Sequence, residues 1–190
     1  MNFEDWWEQT GRMIVNKKDL AYRAWVDGVG LGRDEIYGFP VDTSRKRESS
    51  RNGHKYDVIL HCDGGCWPNP GPCSYGFIAH DPSGRELHRQ NGFLGKGTNN
   101  IGEWHGMIEA LVWANRSGYM RVCVRADSKL VVKQMQGKWR AHKPHIAKLM
   151  ATGRRTMELF ERCDVKWVPR EQNAEADALA SEALHAKVAV

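Results

Sequence analysis

The sequence predicts an α/β domain, a five-stranded mixed sheet flanked by helices, with a short helical N-terminal appendage ahead of it. Three observations carry this prediction. Apolar runs of strand length follow one another between residues 56 and 94, with Pro82-Ser83-Gly84 as a turn between the second and third. Beyond residue 98, strand-length runs alternate with segments of helical spacing. A stretch without any apolar residue, Asp42–Lys55, separates all of this from the first 41 residues and reads as a linker. Consecutive strands pair antiparallel and strands separated by helices pair parallel, so the sheet is mixed.

The appendage, residues 1–41, carries two helical signals. Asn2 caps a first helix with Phe3, Trp6 and Trp7, and Asn16 caps a second with Leu20, Ala21, Ala24 and Trp25. After the linker, Tyr56–Asp63 is a strand apolar enough on both faces to be central. Ser74–Asp81 and Glu86–Leu94 form a hairpin. Ile101, Trp104, Ile108, Leu111 and Val112 recur at helical spacing, which predicts an amphipathic helix over 99–117 ended by Gly118. Arg121–Asp127 is a strand, followed by a short helix over 128–136 and a longer one from Pro144 to Glu161. Val165–Pro169 is the last strand. Asn173 caps a final helix that turns Leu179, Ala180, Ala183 and Leu184 inward. Trp104, Trp113 and Trp167 lie in these elements and are expected in the core. The domain proper is 56–190, and the linker 42–55.

Composition narrows the function. The 190 residues are 41% hydrophobic and 27% charged, with no apolar run of the roughly 18 residues a bilayer span needs. The amino terminus, MNFEDWWEQTG, is acidic and aromatic rather than basic and then apolar, which predicts a cytoplasmic protein. Residues 1–54 hold nine basic and nine acidic side chains, so the net charge of +5 belongs to the rest of the chain. A basic domain fits an anionic partner such as nucleic acid. Cys62, Cys66, Cys73, Cys123 and Cys163 show no CxxC spacing and are read as reduced thiols.

Four acidic residues stand where folding alone does not favour them. Asp63 ends the central strand, Asp127 ends its expected neighbour, Glu103 lies in the first turn of a helix, and Asp177 opens the last helix. Strand ends and helix starts converge at one edge of an α/β sheet. Taken singly, each acid also fits a turn, a cap or a helix dipole. Crowded together they repel unless cations are present, and oxygen-only ligands favour a hard ion such as Mg²⁺ or Mn²⁺. Two such ions about 4 Å apart are suited to in-line attack on a phosphodiester.

Cys62–Phe77 (CDGGCWPNPGPCSYGF), Thr98–Leu111 (TNNIGEWHGMIEAL), Arg125–Met135 (RADSKLVVKQM) and Trp167–Ala180 (WVPREQNAEADALA) resemble, in order and spacing, the four signature blocks of type 1 ribonuclease H. The resemblance covers about residues 55–187. It implies a ribonuclease H-like fold and Mg²⁺-dependent cleavage of the RNA strand of RNA–DNA hybrids, leaving a 5′-phosphate and a 3′-hydroxyl. It also implies that Asp63, Glu103, Asp127 and Asp177 are catalytic and hold two metal ions, with Asp63 bridging them. Gly64, Cys66, Asn69, Thr98, Asn99, Asn100 and Lys129 match positions that contact substrate. A glycine-rich turn lets backbone approach a ribose closely, and the 2′-hydroxyl is the local mark of RNA.

Two departures stand out. Many members carry a histidine in the loop before the last aspartate, whereas Pro169–Asn173 has none and places Arg170 or Glu171 there. A guanidinium holds phosphate but does not act as a base near neutrality, so Arg170 is a substrate-binding candidate. The lysine-rich protrusion of some members is reduced here to Gly137–Leu149, with Trp139, Arg140, His142, Lys143 and His145. That segment reads equally as a helix-joining loop with one core tryptophan. Trp67, beside the catalytic strand, is a further position to watch for substrate contact. The alternatives are a related nuclease acting on DNA junctions or duplex RNA, a non-catalytic hybrid binder, and an interaction protein acting through its amino-terminal tryptophans. A monomer is expected.

Overall fold

A computed structural model of the chain describes residues 54–188. The two helices expected from Asn2 and Asn16, and nearly all of the expected linker, lie outside the described residues.

The elements follow the predicted order. They are β1 (Val58–Cys66), β2 (Gly71–His80), β3 (Glu86–Gly97), α1 (Asn99–Arg116), β4 (Arg121–Ala126), α2 (Lys129–Met135), α3 (Pro144–Met157), β5 (Arg162–Trp167) and α4 (Ala174–Val188). A single 3₁₀ turn, Arg170–Gln172, precedes α4. The sheet order is β3-β2-β1-β4-β5. β1 pairs antiparallel with β2 and parallel with β4, and β4 pairs parallel with β5. The strand read as central is therefore central, paired along both of its edges.

Local chemistry explains most boundaries. The β2–β3 hairpin turns on Asp81, whose Oδ1 accepts from the Ser83 and Arg85 N–H groups at 2.9 and 3.0 Å, with Gly84 at φ +91°. Pro144 opens α3 at a position where a missing N–H is harmless. Between the layers, Val58, Leu60, Phe77, Trp104, Met107, Ile108, Leu111, Val122 and Val124 are fully buried. The indole N–H of Trp104 donates to Gln134 Oε1 at 3.2 Å, so this large side chain leaves no buried donor unpaired. α1 packs on β1 and β2, with α3 against α1, while α4 covers β2, β1 and β3. Leu179, Ala180 and Ala183 of α4 are buried as expected, and Leu184 is half-buried.

Three expectations need correction. α3 ends at Met157 rather than Glu161, and β5 begins at Arg162 rather than Val165. Pairing of Arg162 with Arg121 across β4 sets that strand start, and no local apolar pattern announces it. Trp167 is not in the core: it is 42% exposed at the end of β5 and donates to the Asp127 carbonyl at 2.9 Å. The five cysteines are not all thiols, because Cys66 and Cys73 form a disulfide. The β1–β2 register puts these two residues directly opposite each other, a relation that sequence spacing does not reveal.

Close approach of α1 to β1 depends on glycine. A Cβ added at Gly106 would collide with the Asp63 carbonyl oxygen and stand 3.1 Å from its carbon. A Cβ at Gly102 would stand 2.6 Å from the Gly65 nitrogen. Gly106→Ala is therefore expected to force α1 off β1 and destabilise the domain by about 1–3 kcal/mol, read as a fall in thermal midpoint. An unchanged midpoint would show that the two elements are not in tight register.

Candidate active site

The short distance between α1 and β1 has a chemical consequence. Asp63 lies on β1 three residues before its end, because the strand continues through the glycines to Cys66. Glu103 is the fifth residue of α1, one turn later than its sequence position suggested. Asp127 follows the last residue of β4, the parallel neighbour of β1. One carboxylate oxygen from each of the three lies within 4.8 Å of the others. Asp177, in the first turn of α4, lies near enough for its charge to help raise Asp63, and it accepts from Arg170 Nη2 at 2.6 Å. The four acids thus converge at one edge of the sheet.

Two residues position this cluster. Asn173, read from sequence only as a helix cap, is buried, and its Nδ2 donates to the Cys62 carbonyl and to Asp127 Oδ1, both at 3.0 Å. One amide thus ties the start of α4 to β1 and to the acid that follows β4. The signal was the Asn in NAEAD, but a cap reading does not predict contacts across the sheet. Ser128 caps α2 by accepting from Val131 N–H at 3.4 Å and also hydrogen-bonds Glu103.

The electrostatics are those of crowded, desolvated acids. Burial, reinforced by the Asp127 charge, pushes Asp63 up to about 7. Burial, with the Asp63 charge behind it, pushes Glu103 up to about 8. The Cys62 thiol beneath them is held well above its usual range by burial and by the same three acids. A bound cation would offset both the burial of these charges and their mutual repulsion. The donor set is all oxygen, which fits a hard divalent ion rather than zinc or copper.

The glycine-containing end of β1 beside the acids is tied to the loop after it and to α1 by hydrogen bonds. Asn99 Oδ1 accepts from the Cys66 N–H at 2.8 Å, and the Asn99 N–H donates to Asn69 Oδ1 at 3.2 Å. Thr98 is the N-cap of α1, and its carbonyl accepts from the Ile101 N–H at 2.8 Å. Asn99 and Asn100 are exposed on the first turn. Gly64 packs so tightly on Gly102 that a Cβ would overlap its backbone. The Cys66 side chain is buried and its sulfur bonded to Cys73, so what this position offers outward is backbone. Trp67, by contrast, is 78% exposed. On the other flank, the exposed Lys129 places Nζ 4.7 Å from the Trp167 ring centre. Trp139 is 48% exposed and Arg140, His142, Lys143 and His145 are exposed with it, so the loop between α2 and α3 holds no core tryptophan.

Comparison with known proteins follows this geometry. A reverse transcriptase-like family model matches residues 61–183. The bifunctional protein Rv2228c of Mycobacterium tuberculosis is 37% identical over 130 residues, and this chain spans 36% of that relative's length. Ribonuclease HI of Halobacterium salinarum is 33% identical over 147 residues, covering 77% of this chain and 72% of that one. The N-terminal RNase H domain of Rv2228c superposes with a TM-score of 0.68 at 36% identity, covering 71% of this chain and 99% of that structure. LC11-RNase H1 in complex with an RNA/DNA hybrid superposes with a TM-score of 0.66 at 33% identity, over 69% of this chain and 99% of the other.

Proposed function

The chain belongs to the type 1 ribonuclease H family, and on that premise we propose that it is an endonuclease hydrolysing the RNA strand of RNA–DNA hybrids. The observation that carries this reading is the convergence of Asp63, Glu103 and Asp127 within 4.8 Å, with the Asp177 charge acting on Asp63. A protein that only binds hybrid gains nothing from buried acids beside phosphates. Asp63, Glu103, Asp127 and Asp177 would hold two divalent ions, Mg²⁺ by preference and Mn²⁺ as a substitute. The chemistry such a pair supplies when bound is activation of water for in-line attack and stabilisation of the departing 3′-oxygen, leaving a 5′-phosphate and a 3′-hydroxyl.

The chain's own residues do the rest. The backbone at Gly64 and Cys66 approaches the RNA strand where a 2′-hydroxyl fits. Asn69, Thr98, Asn99 and Asn100 present donors and acceptors to sugar, phosphate and base edges. Lys129 and Arg170 offer cations to phosphates on either side of the acids. Arg170 also holds Asp177 in place, and it replaces the loop histidine as a phosphate ligand rather than as a base. In domain terms, 56–190 is the nuclease, 42–55 a linker and 1–41 an appendage. We place the protein in the cytoplasm as a monomer. Among the described residues, no helix is long and apolar enough to cross a membrane.

The test is cleavage of one sequence presented as RNA–DNA hybrid, duplex RNA and duplex DNA, with Mg²⁺ and with EDTA. Cutting of the RNA strand of the hybrid alone, and only with Mg²⁺, is expected. Preferred cutting of duplex RNA or of DNA would replace this reading with that of a related nuclease.

A further inference from the structure

Among the described residues, α4 packs on one face of the sheet over β1, β2 and β3 rather than over β4 and β5. A Cβ at Gly76 would stand 2.5 Å from the Ala180 nitrogen, so Gly76 marks the face that α4 occupies. Its register partner Asp63 shares the face, as do His61 and Ile59 two and four residues earlier. Registers carry the same face outward. His61 lies beside Arg125, Arg125 beside Lys166, Cys123 beside Asp164, and Arg121 beside Arg162.

The open face is basic. Lys55, Arg162 and Lys166 are exposed and Arg125 is half-buried. Three of these cations gather round one aromatic ring: Lys55 Nζ, Lys166 Nζ and Arg162 Cζ stand 5.3, 5.5 and 5.6 Å from the Tyr56 centroid. Asp164 is the carboxylate among them, accepting from the Tyr56 hydroxyl at 2.5 Å and lying 3.7 Å from Lys55 and 3.0 Å from Arg162. Arg121 is paired with Asp57 at 2.6 Å and adds little. Among the described residues, four cations thus face one carboxylate on a part of the face that α4 does not cover.

The track also has a direction. The Arg125–Lys166 rung lies at the end of β4 that leads into Asp127, and the Arg162 rung lies four residues up β5, roughly 13 Å away at strand rise. It is therefore continuous at one end with the candidate active site. We propose that the open β4–β5 face is a second nucleic-acid contact, taking the unpaired continuation of the RNA strand beyond the hybrid, with its phosphates among Lys166, Arg162 and Lys55. Phosphodiesters fit better than an acidic peptide because the cations follow a line that starts where the RNA strand is cut. A guanidinium and two ammonium groups around a tyrosine grip a backbone without reading sequence.

The test uses the full chain and a fluorescein-labelled oligouridine in EDTA, followed by anisotropy over a range of salt. In one variant, Arg162→Glu is combined with Lys166→Glu. In the second, Lys55→Gln is combined with Lys166→Gln, which leaves the Arg162–Asp164 pair intact if charge reversal disturbs folding. Loss of two phosphate contacts should flatten the dependence of log K on log salt by about 1.4 and weaken low-salt binding at least about tenfold. Cleavage of a blunt-ended hybrid in Mg²⁺ should be unchanged in the second variant. Oligouridine binding that is indifferent to both substitutions overturns the proposal. So does an oligoglutamate that binds this face more tightly than the RNA. If the wild-type protein fails to cut hybrid while the lysine variant still loses RNA binding, the nuclease reading falls and this face stands.

Discussion

Asp63→Asn should lose hybrid cleavage by about 10³-fold or more while the domain stays folded. The side chain sits in the cluster, within 4.8 Å of Glu103 and Asp127, and feels the Asp177 charge. The amide keeps its shape and volume but removes the negative charge, and an amide oxygen is a far weaker ligand for a hard cation. The fold should not suffer, because the wild-type carboxylate is buried against its own kind. Without divalent ions at pH 8, the variant is expected to melt above the wild type, since it lacks a charge that the folded state disfavours. Turnover near the wild-type level in Mg²⁺ would falsify the assignment of Asp63. A variant that melts well below the wild type would mean that this carboxylate stabilises the fold instead.

A second large effect is expected in the stability of the metal-free protein as pH changes. Asp63 is raised to about 7 and Glu103 to about 8, both chiefly by burial and then by neighbouring carboxylates. Between about pH 4 and those values, the folded chain keeps protons that the unfolded chain has already released. Their contribution to stability is therefore greatest below about pH 4, declines as pH rises, and levels off above about pH 8. The two groups raise each other, so their shifts do not add, and the combined decline is on the order of 5 kcal/mol. Thermal midpoints measured in EDTA should fall between pH 5 and pH 8. Adding Mg²⁺ or Mn²⁺ should restore the loss, with the gap between the two curves widening as pH rises. Parallel curves would mean that the acids are solvated and hold no ion.

The four signature acids and the strand order were legible because each leaves a local trace. Asp63 follows a doubly apolar strand, Asp127 ends another, and Glu103 and Asp177 sit near helix starts. What was not legible depends on partners distant in sequence. The start of β5 at Arg162 is set by pairing with Arg121, and the Cys66–Cys73 bond by the β1–β2 register. Trp167 reads as core because tryptophan in a strand usually is, yet it closes the sheet edge with its indole N–H on the Asp127 carbonyl. Asn173 reads as a cap, and its second task, gripping β1 and Asp127 together, needs coordinates to be seen. The open basic face is invisible to composition, because its cations come from Lys55, β4 and β5 and share a surface only through strand register.

Asn173 and the helix it opens give the molecule a timetable. Synthesis delivers Asp63, Glu103 and Asp127 well before Asn173 and Asp177, and the amide that spans Cys62 and Asp127 arrives only with this last segment. A nascent chain halted before α4 carries three acids without their brace or their fourth member. On the proposed reading, the set of residues that would hold the metal ions is therefore complete only once α4 has been made.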